Sequence, residues 1–279
     1  MKINDHFLND DDSLSLDFKT PNLGAELNNN LPDTIVIHFT AGSSAESSAK
    51  HLCKASAKAS AHVVVGRTGE IYQLAPFNRI TWHAGKSSWK GRSGLNKYSI
   101  GIEIDNAGRL TKAEDGSFKT WFGKNIQASD TYFGTHRNET SPSYWHEYTE
   151  MQISRVFDLC ELLIEKYPIR EIVGHEQISP SRKADPGPAF PLDKLRDRYF
   201  GESRDSDGRD LILETEGLAL VGANKLNIRS GPGVSYPTVS EPITRGQTVR
   251  ILGSKYGWVE VEKVTKGWVS AKYLETIDS

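Results

Sequence analysis

Cysteine is scarce in this sequence. Only Cys53 and Cys160 occur among 279 residues, and neither has CxxC or metal-ligand spacing. They are expected as plain thiols, which excludes a disulfide framework or a cysteine-ligated zinc site. Long apolar runs are also lacking: none approaches the roughly 20 residues that a membrane-spanning helix needs, so no membrane insertion is expected. Charge of one sign is not in excess. With 34 Lys and Arg against 36 Asp and Glu, the net charge of -2 gives no field to attract nucleic acid or an anionic membrane. The first residues, MKINDHFLNDDDSLSLDF, have neither the basic start nor the continuous apolar stretch of a secretory signal. The chain is therefore expected to be cytoplasmic as synthesised, leaving only by a separate route.

What the sequence does hold is a succession of short apolar runs interleaved with helical patterns. Residues 1–32 are polar and rich in Asn and Asp, and read as an irregular lead-in. Thr34-Ile35-Val36-Ile37 then reads as a buried strand that delivers His38 at its end. A helix is expected from Ala45 to about Ser56, with Ser44 or Ser47 as N-cap. The runs starting at His62 and Glu70, joined by Arg67-Thr68-Gly69, read as a hairpin. Ser99–Ile104 is a further strand, with Gly101 where another backbone comes close and Glu103 as a carboxylate that needs a partner or a task. Thr149 and Gln152 have capping-box spacing ahead of an apolar repeat that runs to Tyr167, the clearest helix of the chain. Between these elements, residues 107–147 show no periodicity and read as a long loop whose aromatics form a lid or one wall of a groove.

The stretch VGHEQISPSRKADPGP (173–188) gathers the most chemistry. His175 follows a short apolar run, and Asp185 precedes a Pro-Gly-Pro turn that restricts its backbone. Together with His38, these residues make a ligand set suited to Zn²⁺ with one position open for water. A lone histidine after a strand is more often a hydrogen-bonded structural residue; the three residues together favour the metal. His6, His51, His136 and His146 read as surface or loop histidines. Gly201–Asp210 is charged, contains Gly and lacks periodicity, so residues 201–214 read as a linker. Beyond them, short strands separated by Gly and Pro describe a small all-β barrel.

IHFTAG (37–42), SAHVVVGRTGEIYQL (60–74), WHAG (82–85), NKYSIGIEI (96–104) and VGHEQISPSRKADPGPAF (173–190) together resemble the N-acetylmuramoyl-L-alanine amidase type 2 family, whose fold is shared by peptidoglycan recognition proteins. LNIRSGPG, YGWVEV and KGWVSAKYL resemble a bacterial SH3-like domain. The expected fold is α/β, a central mixed β-sheet flanked by helices over 33–200, plus a small all-β SH3-like barrel over 215–279.

The resemblance implies that His38, His175 and Asp185 bind one Zn²⁺ and that Glu103 and Lys183 assist catalysis. It implies cleavage of the amide between the lactyl group of N-acetylmuramic acid and L-alanine, with peptidoglycan or a muropeptide as substrate. His62, Arg67, Trp82, His83 and Asn96 are the expected substrate contacts. Some phage members have Tyr before the residue matching His62, where this chain has Ala61. The SH3-like tail favours a lytic enzyme acting on polymeric wall, in the manner of an endolysin. The alternatives are cytoplasmic muropeptide recycling and a non-catalytic peptidoglycan-binding protein; the latter is disfavoured because all three ligand residues are present.

Overall fold

The computed structural model describes residues 1–28, 31–200, 217–231, 236–255 and 258–264. The chain divides into two compact units, Met1–Asp205 and Ser206–Ser279. The expected linker at 201–214 and the KGWVSAKYL stretch lie outside the described residues.

The first unit is organised by a six-stranded mixed sheet in the order Glu171–Gly174, Thr34–Phe39, Ser99–Ile104, Val63–Val65, Ile71–Gln73 and Leu14–Ser15. The first four strands run parallel, and Val63–Val65 pairs antiparallel with Ile71–Gln73 as the expected hairpin. Strands buried on both faces read as continuous apolar runs rather than alternating ones, as in Thr34–Ile37. Helix Glu150–Lys166 buries Val156, Leu159, Cys160 and Leu163 against the sheet, and its N-terminus carries the expected capping box of Thr149 and Gln152. Helix Ala45–Leu52 is shorter than expected: its chain turns at Cys53 and re-forms as a 3₁₀ turn at Ala55–Ala57. Both cysteines are free thiols.

Residues 1–32 are not an irregular lead-in. Lys2–Asn4 and Phe7–Asn9 form an antiparallel hairpin that sends Ile3 and Leu8 into the main core, and Leu14–Ser15 adds an edge strand to the sheet. The hairpin turn holds Asp5 and His6 at φ 46° and 67°. A turn with both central residues at positive φ usually announces itself by Asn-Gly or Asp-Gly, which is why Asp-His passed as irregular.

Residues 107–147 are not a loop either. They fold into a five-stranded antiparallel sheet in the order Asn125–Ile126, Phe118–Lys119, Arg109–Lys112, Pro142–His146 and Thr131–Thr135. These strands are two to five residues long, too short to show a period. They are held by contacts across the sheet: the Tyr144 ring meets Phe118 at 4.9 Å and Phe133 at 4.7 Å, with Lys112 Nζ 5.7 Å above it. Glycines at positive φ, Gly116 and Gly123, turn the outer strands.

The second unit, among its described residues, is all-β. Gly217–Leu220, Thr248–Lys255 and Trp258–Lys263 form an antiparallel sheet, and Val221, Ile243 and Val249 make its small core.

Candidate active site

Three parallel strands place the central residues side by side at their carboxyl ends, where ligands of open α/β sheets bind. Residues in register on neighbouring strands share a face, and His38 is in register with Glu103. Gly174 pairs with Ile37, so His175 leaves its strand beside His38. The loop that follows returns Asp185 to the same point, closed by the Glu176 N–H donating to the Asp185 carbonyl at 2.8 Å. His38, His175 and Asp185 are all buried and could hold a metal ion. The Nδ1 atoms of the two histidines lie 2.9 Å apart, and Asp185 Oδ2 lies 2.9 Å from one and 3.0 Å from the other.

A chain of hydrogen bonds settles which nitrogens carry protons. The Ser99 hydroxyl donates to the Leu95 carbonyl at 2.6 Å, so Ser99 Oγ can only accept from His83 Nε2 at 3.2 Å. Burial keeps His83 neutral, its pKa well below the usual value, so its Nδ1 bears a lone pair. His38 Nε2–H therefore donates to His83 Nδ1 at 2.9 Å. On the other side, His175 Nε2–H donates to the Ala84 carbonyl at 3.1 Å; Arg182 Nη2, 3.3 Å from the same nitrogen, turns its hydrogens to the carbonyls of Ala84 and Lys86. In their neutral forms both Nδ1 atoms then present lone pairs to each other and to a carboxylate oxygen, three acceptors with no proton among them. A cation resolves that arrangement. Tetrahedral zinc with bonds of about 2.0–2.1 Å spaces its ligand atoms about 3.3 Å apart, close to the spacing seen. The donor set fits the metal.

Glu103 stands beside this group. Its Oε2 is buried without a hydrogen-bond partner among the described residues. Burial, and then the charge of Asp185, push its pKa well above the usual carboxylate range; Lys183 opposes the rise. Both Glu103 and Lys183 line a cavity of about 200 Å³ together with His38, His175, Asp185, Trp82 and His83.

The other expected contacts lie elsewhere. His62 is fully buried, with Nε2–H donating to the Arg79 carbonyl and Nδ1 accepting from Gly101 N–H, and is absent from the cavity wall. Asn96 Oδ1 accepts from the backbone N–H of His83 and of Ala84, so it shapes the Trp82–Gly85 turn. Arg67 donates to the Glu147 carbonyl. Gly101 serves His83: a Cβ there would sit 2.4 Å from its ring.

His136 and His146, read as surface or loop residues, are buried. His146 Nδ1 accepts from the Ala107 N–H, and burial lowers its pKa to about 3. His136 Nε2–H donates to Glu176 Oε2 at 2.7 Å; the same oxygen accepts from Gly187 N–H at 3.1 Å, and Glu176 Oε1 pairs with Arg137 Nε at 2.9 Å. The second sheet is thus clamped to the loop that carries His175 and Asp185. Ser99 and Glu176 carry no sequence signal for these tasks; the histidines they meet lie 16 and 40 residues away.

The family model of N-acetylmuramoyl-L-alanine amidase matches residues 28–188. The chain belongs to this family. A bacterial SH3 domain model matches residues 224–275. The 1,6-anhydro-N-acetylmuramyl-L-alanine amidase AmpD of Citrobacter freundii is 31% identical over 141 residues, 50% of this chain and 56% of that protein. The enzyme of the same name from Enterobacter cloacae is 34% identical over 133 residues, covering 47% of this chain and 52% of its own. The N-acetylmuramoyl-L-alanine amidase AmiD of Escherichia coli is 30% identical over 145 residues, 51% of this chain and 43% of that protein. The chain thus spans about half the length of these relatives. A crystal structure of AmpD aligns with 70% of this chain and 98% of its own, at a TM-score of 0.47 and 24% identity. Among the described residues, no helix is long and apolar enough to cross a membrane.

Proposed function

We propose that the chain is a zinc-dependent N-acetylmuramoyl-L-alanine amidase that hydrolyses the lactyl-amide bond between N-acetylmuramic acid and L-alanine of peptidoglycan. The observation that carries the reading is the unpartnered Oε2 of Glu103, buried beside three convergent acceptor atoms and facing the same cavity. A buried carboxylate without a partner is costly and is kept where it has a task.

His38, His175 and Asp185 are the residues that would hold zinc. Zinc, when bound, supplies a Lewis acid for the amide carbonyl and a more acidic water. Glu103 takes a proton from the attacking water and returns it to the leaving nitrogen of L-alanine. Its raised pKa brings it towards neutrality, where one group serves both transfers. Lys183 holds positive charge on the cavity wall, where the carbonyl oxygen becomes negative. Trp82 and His83 also line the cavity; His62, Arg67 and Asn96 act on the framework behind it.

The SH3 match supports polymeric wall as the substrate, with that domain keeping the enzyme on its surface. The similarity to 1,6-anhydro-N-acetylmuramyl-L-alanine amidases favours a second reading, recycling of small soluble muropeptides. Mass spectrometry of purified sacculi and of soluble anhydromuropeptides after digestion separates the two. Free stem peptides with N-terminal alanine, lost on chelation and in His175→Ala, are expected from sacculi. Their release from soluble fragments alone assigns recycling, and no cleavage of either substrate sinks the amidase reading.

A further inference from the structure

The cavity beside Glu103, about 200 Å³, is smaller than the roughly 300–1,000 Å³ of sites that enclose a drug-sized ligand. A hexosamine joined to a peptide does not fit inside it. If the amidase reading holds, only the groups around the scissile amide enter, and the rest of the substrate lies across the rim.

Two tryptophans stand at that rim. Trp82 lines the cavity and is 39% exposed. Trp121 belongs to the turn between Phe118–Lys119 and Asn125–Ile126 in the second sheet and is 73% exposed. Its position is nevertheless set. Trp121 Nε1–H donates at 2.8 Å to the carbonyl of Ala41, which itself lines the cavity. Ala41 has φ 50°, a backbone conformation that a residue with a Cβ adopts only when its surroundings enforce it. Phe122 stands edge-on to the indole at 5.4 Å and 89°. The ring therefore has its one polar atom engaged, one aromatic neighbour bracing it and most of its surface in water.

We propose that Trp121 is a stacking platform for a pyranose ring of the glycan, in a subsite beside the cavity that the second sheet adds to the fold. An indole with its N–H already engaged offers an apolar face and neither a free donor nor a charge. That suits the C–H face of a sugar and gives no specific hold on the carboxylates of a peptide. The platform rests on the proposed activity, and its bond to Ala41 on the cavity wall puts it within reach of a glycan chain leaving the scissile bond.

The test compares the full chain with Trp121→Ala and Trp121→Phe on two substrates that carry the same stem peptide. One bears a single N-acetylmuramic acid, the other a tetrasaccharide of alternating N-acetylglucosamine and N-acetylmuramic acid. Trp121→Ala is expected to raise KM for the tetrasaccharide substrate by about 3- to 10-fold, with kcat and the single-sugar KM unchanged, and Trp121→Phe to recover part of the loss. An equal change on both substrates, or no effect on either, overturns the platform. Titration of an uncleaved N-acetylglucosamine tetramer, followed by NMR, tests it independently of turnover. Binding weakened in Trp121→Ala supports the platform even if neither substrate is cleaved, and binding equal in both proteins overturns it.

Discussion

His38 donates its Nε2–H to Nδ1 of His83, and that bond decides which nitrogen of His38 faces the cavity. The direction is inherited from Ser99 and the Leu95 carbonyl. Ser99→Ala removes the acceptor that holds His83 in its tautomer. Zinc affinity, measured by competition with a chromophoric chelator, is expected to fall about 10-fold, the low end of the cost of losing an outer partner, because Ser99 reaches the ligand His38 only through His83. Unchanged affinity would show that the relay has no hold on the metal.

Gly101→Ala attacks the same relay by volume. The new methyl would overlap the His83 ring at 2.4 Å, and overpacking of a buried site costs about 1–3 kcal/mol. Lower thermal stability and weaker zinc binding are expected together; either one alone would contradict the described contact.

Glu103→Gln separates chemistry from binding. A loss of about 10²–10⁴ in kcat is expected, with zinc affinity close to wild type, because Glu103 is not among the ligand atoms. A variant that keeps full activity would remove Glu103 from the mechanism.

The same substitution has a pH signature in the metal-free protein. The pKa of Glu103 is higher folded than unfolded, so the folded state binds the extra proton and the wild type loses stability as pH rises above the ordinary glutamate value. Glutamine does not titrate. The melting temperature of Glu103→Gln relative to wild type should therefore increase from pH 4 to pH 8. A constant difference would mean that the carboxylate is not destabilised by burial.

His136→Ala breaks a buried pair and leaves Glu176 with fewer donors. The expected loss is about 1–3 kcal/mol by chemical denaturation of the intact chain, because Glu176 keeps Arg137 and the Gly187 N–H. Weaker zinc binding should accompany it, since Glu176 also accepts from Gly187 N–H beyond the Asp185 ligand position. A surface histidine would give neither effect.

The parts of the protein written in local pattern were legible beforehand. His38 and Glu103 follow continuous apolar runs, and the His175–Asp185 loop is bounded by Gly and Pro, so strands, helix cap and candidate ligands all stood in the sequence. Contacts across long separations were not. His83 lines the cavity, but nothing local says that its ring also packs against Gly101 and takes a hydrogen bond from His38. His136 lacked any sign of Glu176, 40 residues on. The second sheet was hidden by strands too short to show a period, and the N-terminal hairpin by a turn without glycine.

The neighbouring positions of His38 and Glu103 depend on the register of two parallel strands. A slip of one residue would turn either side chain to the opposite face of the sheet. Metal uptake by refolded material should then count the molecules whose strands have paired correctly, making a zinc titration an assay of folding fidelity as much as of the enzyme.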